Sequence, residues 1–98
     1  MRDTMYVIAK LQARAGKEET LKGILQGLVE PTKKEQGCIS YEMLQDRQNP
    51  AVMTLVEQWQ TEADLNTHLG LPHLQTLFAQ LPELLAAPPE IIRYKKLA

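Results

Sequence analysis

Cys38-Ile39-Ser40-Tyr41-Glu42-Met43-Leu44-Gln45, then Asp46-Arg47-Gln48-Asn49-Pro50, then Ala51-Val52-Met53-Thr54-Leu55-Val56-Glu57-Gln58-Trp59: on this stretch the fold turns. Ile39, Tyr41, Met43 and Gln45 alternate with Cys38, Ser40, Glu42 and Leu44. Met53, Leu55, Glu57 and Trp59 alternate with Val52, Thr54, Val56 and Gln58. Period-two patterning places each set on one face of a strand. The segment between them is polar and ends in Asn-Pro, which is turn chemistry. Two strands joined by so short a turn form an antiparallel hairpin, over 38–45 and 51–59.

Upstream, Met5, Val7, Ala9, Leu11 and Ala13 alternate with Tyr6, Ile8, Lys10 and Gln12, which predicts a strand over 5–13. From Lys17 the period changes. Leu21, Ile24, Leu25, Leu28 and Val29 form one helical stripe, with Glu18 and Glu19 early and Lys33 and Lys34 late, as the helix dipole favours. An interior proline removes a backbone bond, so Pro31 predicts a kink, or an end near Glu30 and one more turn to Glu35. Gly37 closes the element.

Downstream, Thr61-Glu62-Ala63-Asp64 has the form of a helix start, and Gly70 stops that helix after Leu69. Pro72 opens another, striped by Leu74, Leu77, Phe78 and Leu81 and limited by Pro82. Pro88-Pro89 mark a loop, and 90–97 reads as a last strand. Strand, helix, strand, strand, helices, strand is the α+β, ferredoxin-like split βαβ order. It predicts one domain over 5–97, a four-stranded antiparallel sheet with helices on one face. The other face keeps apolar residues, which calls for a second copy of the chain.

Composition narrows the function. With 98 residues, 44% hydrophobic and 23% charged, the chain fits one average folded domain. Its 11 basic and 12 acidic residues leave a net charge of -1, and so no electrostatic footprint for nucleic acid. No apolar run approaches the ~20 residues of a membrane helix. Met1-Arg2-Asp3-Thr4 lacks the plan of a signal peptide, and the lone Cys38 excludes an internal disulfide; a cytoplasmic protein is expected.

No phosphate loop or serine-nucleophile elbow is present, and Cys38 reads as a small apolar filler at a strand start. The informative residues are Glu57, Trp59, His68 and His73. The two histidines invite a metal reading, with Asp64 one helical turn before His68 as a third ligand or only an ion pair. Zinc catalysis asks for three protein ligands, and this spacing matches none of the zinc motifs. His68 fits better as a general base, against the plainer reading of a helix-end residue packed on the sheet. His73, in a first helical turn, suits a neutral donor or acceptor. Trp59 reads as a core anchor. Glu57, on an apolar face, needs a cation or tyrosine hydroxyl, with Tyr41, Tyr6 and Tyr94 in view, unless it lies at an edge or a dimer seam. Met43, Met53 and Leu55 form an apolar wall that serves as core or as pocket.

Over nearly its whole length the chain resembles the antibiotic biosynthesis monooxygenase domain, of the small quinol-monooxygenase type. The resemblance rests on Gly16-Lys17-Glu18, on Glu35-Gln36-Gly37-Cys38-Ile39-Ser40-Tyr41, and on Gln45-Asp46 with Asn49-Pro50. Glu57-Gln58-Trp59, His68 with Pro72-His73, and Pro88-Pro89-Glu90-Ile91 leading to Tyr94 complete it. It implies a dimeric α+β barrel, with two sheets face to face. It also implies oxygenation of a quinol or polyphenolic aromatic by dioxygen, without metal, flavin or haem. His68 is then the candidate base, with Trp59, His73, Tyr41, Glu57, Met43, Leu55 and Phe78 lining or supporting the pocket. A haem-degrading branch of the superfamily uses an Asn, Trp and His triad; here Leu11 or Lys10 stands for the asparagine and His68 for the tryptophan. An isomerase of a signalling molecule, or a non-catalytic small-molecule-binding or stress-response dimer, stays open on the same fold.

Overall fold

The computed structural model describes residues 4–98. The reading of the amino terminus, Met1-Arg2-Asp3, lies outside the described residues. The elements run β1 (Met5–Gln12), α1 (Glu18–Lys33), β2 (Cys38–Gln45), β3 (Val52–Trp59), α2 (Glu62–Leu69), α3 (Pro72–Leu84) and β4 (Glu90–Tyr94). The four strands form one antiparallel sheet in the order β2-β3-β1-β4. Each βαβ crossover thus skips one strand, which is the predicted split βαβ arrangement. Among the described residues, no helix is long and apolar enough to cross a membrane.

The core lies between the sheet and the helices. Val7, Ala9 and Leu11 from β1 meet Met53, Leu55 and Trp59 from β3, and all are buried. Leu21, Leu25 and Leu28 of α1 and Leu74, Leu77 and Leu81 of α3 close over them. These are the residues that the two hydrophobic periods select.

Pro82 does not limit its helix as expected, and Pro31 sits inside α1 just before its end. Helix α1 runs through Pro31 to Lys33, and α3 runs through Pro82 to Leu84. Each proline is exposed. Each removes only one late ladder bond on the solvent side, where water can satisfy the freed carbonyl. Short bonds from Lys34 N to Pro31 O (3.2 Å) and Glu35 N to Thr32 O (3.0 Å) then wind α1 to its end.

The strand ends differ too. Ala13 makes only an isolated bridge to Leu85. β4 stops at Tyr94 rather than 97, because its neighbour β1 begins at Met5 and Tyr6 already pairs with Tyr94. A bulge between Cys38 and Ser40 breaks the alternation of β2. Cys38 therefore opposes Trp59, and Ile39 is left exposed instead of sharing a face with Tyr41.

Candidate functional site

Register builds the floor of the site. Tyr41 on β2 pairs with Glu57 on β3, Glu57 with Val7 on β1, and Val7 with Arg93 on β4. Paired residues share a face, so Tyr41, Glu57, Val7 and Arg93 form one row beneath the helices. Helix α2 supplies the lid. Thr61 caps it, its hydroxyl accepting from Asp64 N at 3.1 Å and donating to Asp64 Oδ2 at 3.0 Å. Asp64 is thereby engaged in the cap. Seven residues after the cap, His68 descends from the last turn of α2 onto the sheet and is only 2% exposed.

The turn after α1 brings in the partner of His68. Gly37 has φ +84°, in the left-handed region, and a Cβ there would collide with the Asp64 side chain. Only glycine lets this turn approach α2 so closely. Glu35, just before it, then receives a hydrogen bond from His68 Nδ1 at 2.8 Å. His73, exposed in the first turn of α3, stands with Nε2 at 3.7 Å from Glu35 Oε2.

The His68 ring lies against Trp59, with centroids 4.8 Å apart, and edge-on to Tyr41 at 5.9 Å. Burial pushes its pKa below the usual histidine range, and the hydrogen bond and charge of Glu35 oppose that shift only in part. His68 is therefore neutral at pH 7. A carboxylate accepting from Nδ1 selects the tautomer with its lone pair on Nε2.

Glu57 is 5% exposed, and its partner is neither a cation nor a tyrosine. The Trp59 indole donates to its Oε1 at 2.9 Å. Tyr6 pairs with Gln58 and so faces the other side of the sheet, while Tyr94 is exposed. Burial raises the Glu57 pKa to about 7, against the indole hydrogen bond, and the charge of Glu35 adds to the rise. Tyr41 is held far above the usual phenol range, first by burial and then by the charges of Glu57 and Glu35. Burial first, then Glu35 and Glu57, likewise moves the Cys38 thiol up to about 11, which leaves it unreactive at neutral pH.

A narrow cavity opens between this floor and the helices. His68, Tyr41, Glu57, Leu55 and Phe78 are on its wall, with aliphatic side chains and Arg93 around them. Its room for water-sized molecules is about 40 Å³. That holds dioxygen or a few waters, each needing ~10–15 Å³, and not an aromatic ring at rest. Phe78 and Leu81 also border an outer crevice of about 460 Å³, against Pro82 and the 85–89 loop.

Three of the residues expected to line or support the pocket are not on its wall. Trp59 is fully buried behind His68 and off the cavity wall. Met43 lies half-buried on the edge strand β2, and His73 faces Glu35 from outside. Conversely, Glu35 and Arg93 join the site without a functional signal in the sequence reading. A carboxylate after a helix reads as a solvated end, but its place two residues before a glycine that opens a strand is a usable signal. Arg93 shares the cavity face of β4 with Ile91; it is bound to Glu62 (2.6 Å) and Asn66 (3.2 Å), tying that strand to α2.

Residues 4–80 match the family model for antibiotic biosynthesis monooxygenase. The chain belongs to this family. It is 31% identical over 93 residues to the "Uncharacterized protein sll1783" of Synechocystis, covering 95% of this chain and 63% of that longer protein. It is 31% identical over 88 residues to the "Putative monooxygenase Rv0793" of Mycobacterium tuberculosis, covering 90% of this chain and 86% of the relative. The crystal structure of PA3566 from Pseudomonas aeruginosa superposes with a TM-score of 0.93 at 31% identity, covering 100% of this chain and 98% of that one. The antibiotic biosynthesis monooxygenase family thus accounts for the fold and suggests monooxygenase-like chemistry.

Proposed function

We propose that the protein is a cofactor-independent monooxygenase that oxidises a quinol or polyphenolic small molecule with dioxygen. One observation carries the reading: a buried neutral histidine, oriented by a carboxylate, stands beside Tyr41 and Glu57 on the wall of an otherwise apolar cavity. The aromatic substrate enters from the outer crevice as Phe78 swings aside. His68 Nε2 takes the phenolic proton, and removal of water favours electron donation from the phenolate to dioxygen. The ring carbon and oxygen join as a peroxide, which takes the proton back. Loss of water leaves the quinone, so substrate and dioxygen give oxygenated product and water in balance. Glu57, half-protonated near pH 7, donates a hydrogen bond to the developing oxyanion.

The working unit is a homodimer. Ile8 and Ile92 are paired on the sheet face away from the helices, and Tyr94 extends that apolar surface. A second copy covers it, sheet to sheet.

The test is oxygen uptake with a panel of hydroquinones, each compared with its own autoxidation. The reading expects acceleration by the purified protein with at least one ring size. No acceleration across the panel replaces it with a small-molecule-binding protein that uses the same cavity.

A further inference from the structure

Glu35 faces two ways. Its Oε1 accepts from His68, which is on the cavity wall. Its Oε2 is buried, has no hydrogen-bond partner among the described residues, and lies 3.7 Å from Nε2 of the exposed His73. The Glu35 side chain also borders a polar recess of about 320 Å³ with Gln36, Asp64, Thr67 and Leu71. His68 has no part in that recess, and Glu35 none in the cavity.

We propose that His68, Glu35 and His73 form a proton path between the buried cavity and solvent. This inference rests on the reading of His68 as the base of the site. A histidine that only needed orienting could be held by any acceptor. A carboxylate with a second, unsatisfied oxygen beside an exposed imidazole can also carry a proton onward. The other titratable groups near His68, Tyr41 on β2 and Glu57 on β3, lie on the cavity side, and Arg93 is bound to Glu62.

Charge and protons balance along the path. A proton arriving at His68 Nε2 releases the one on Nδ1 to Glu35 Oε1. The carboxyl group turns over and, with a closure of about half an ångström, passes that proton to His73 Nε2. His73 gives a proton to water. One proton leaves, no electrons move, and the reverse passage restores the Nδ1–H tautomer when the peroxide is protonated.

The experiment labels the histidines with ¹⁵N and measures exchange of the His68 Nδ1 proton with water by NMR. Glu35→Gln keeps an acceptor for Nδ1 but cannot take a proton. The path predicts the same tautomer with exchange ~10²-fold slower, the low end of what a positioned proton-transfer group supplies. His73→Gln, at an exposed position, supplies a second variant if Glu35→Gln does not fold, and it too slows exchange. Unchanged exchange in a folded Glu35→Gln protein, or in His73→Gln, overturns the path and leaves Glu35 a positioning residue. Oxygen uptake by the unaltered protein, run alongside, tests the oxygenase reading separately.

Discussion

His68 Nδ1 and Glu35 Oε1 are 2.8 Å apart, although 33 residues separate them in the chain. Three local features create the contact: the left-handed turn at Gly37, the Thr61 cap that starts α2, and the extra residue in β2. Together they deliver a carboxylate to a histidine that burial holds neutral.

Replacing Glu57 should change how stability depends on pH. Its folded pKa of about 7 exceeds the ordinary 4.5, so the native state holds the proton more tightly than the unfolded chain. The stability it contributes is full below about 4.5 and is lost as pH rises towards 7, on the order of 3 kcal/mol in all. His68 acts oppositely, losing stability as pH falls below 6.5, and this is common to both proteins. Urea melts at several pH values should show wild type losing stability relative to Glu57→Gln between pH 4.5 and 7. A constant difference would mean that Glu57 is ionised throughout.

Alanine at the two left-handed glycines should separate backbone strain from collision. Gly16 has φ +87° and open space around its missing Cβ, whereas Gly37 meets Asp64. Gly16→Ala should cost roughly 1–2 kcal/mol. Gly37→Ala should cost about 1–3 kcal/mol more, from overpacking. Equal losses in denaturant melts would remove the close approach of this turn to α2 from the account.

Placing a charge on the outer sheet face should split the proposed dimer. Ile92 is opposite Ile8 and 47% exposed in the single chain. Sedimentation should show wild type at twice 11.1 kDa and Ile92→Lys at 11.1 kDa with its fold intact. A wild-type protein that sediments as a monomer would leave this face without a role.

The hairpin was legible because Met53, Leu55, Glu57 and Trp59 obey a strict period of two, and the capped start of α2 because Thr61 and Asp64 are local partners. Pro82 misled because a proline's cost depends on whether the freed carbonyl meets water, which is a tertiary fact. Ile39 misled because a bulge moves one residue off the pattern without any mark in composition. His68 stood out by residue type, but Glu35 did not. Its role comes from a contact between the α1–β2 turn and α2, and no local pattern encodes that distance. The indole partner of Glu57 was two residues away, yet hidden, because β-strand neighbours at i and i+2 share a face where charge is rarely expected.

In the proposed reaction, His68 takes the proton from a phenolic substrate that then reacts directly with dioxygen. The decisive comparison is oxygen uptake by wild type and His68→Ala, both dialysed against chelator and both shown to be folded. Wild type should keep its full rate after chelation, and His68→Ala should be slower by ~10²–10⁴-fold. An undiminished rate in His68→Ala, or a wild-type rate that leaves with a stoichiometric metal, would rule out His68 as the base of a metal-free oxygenation.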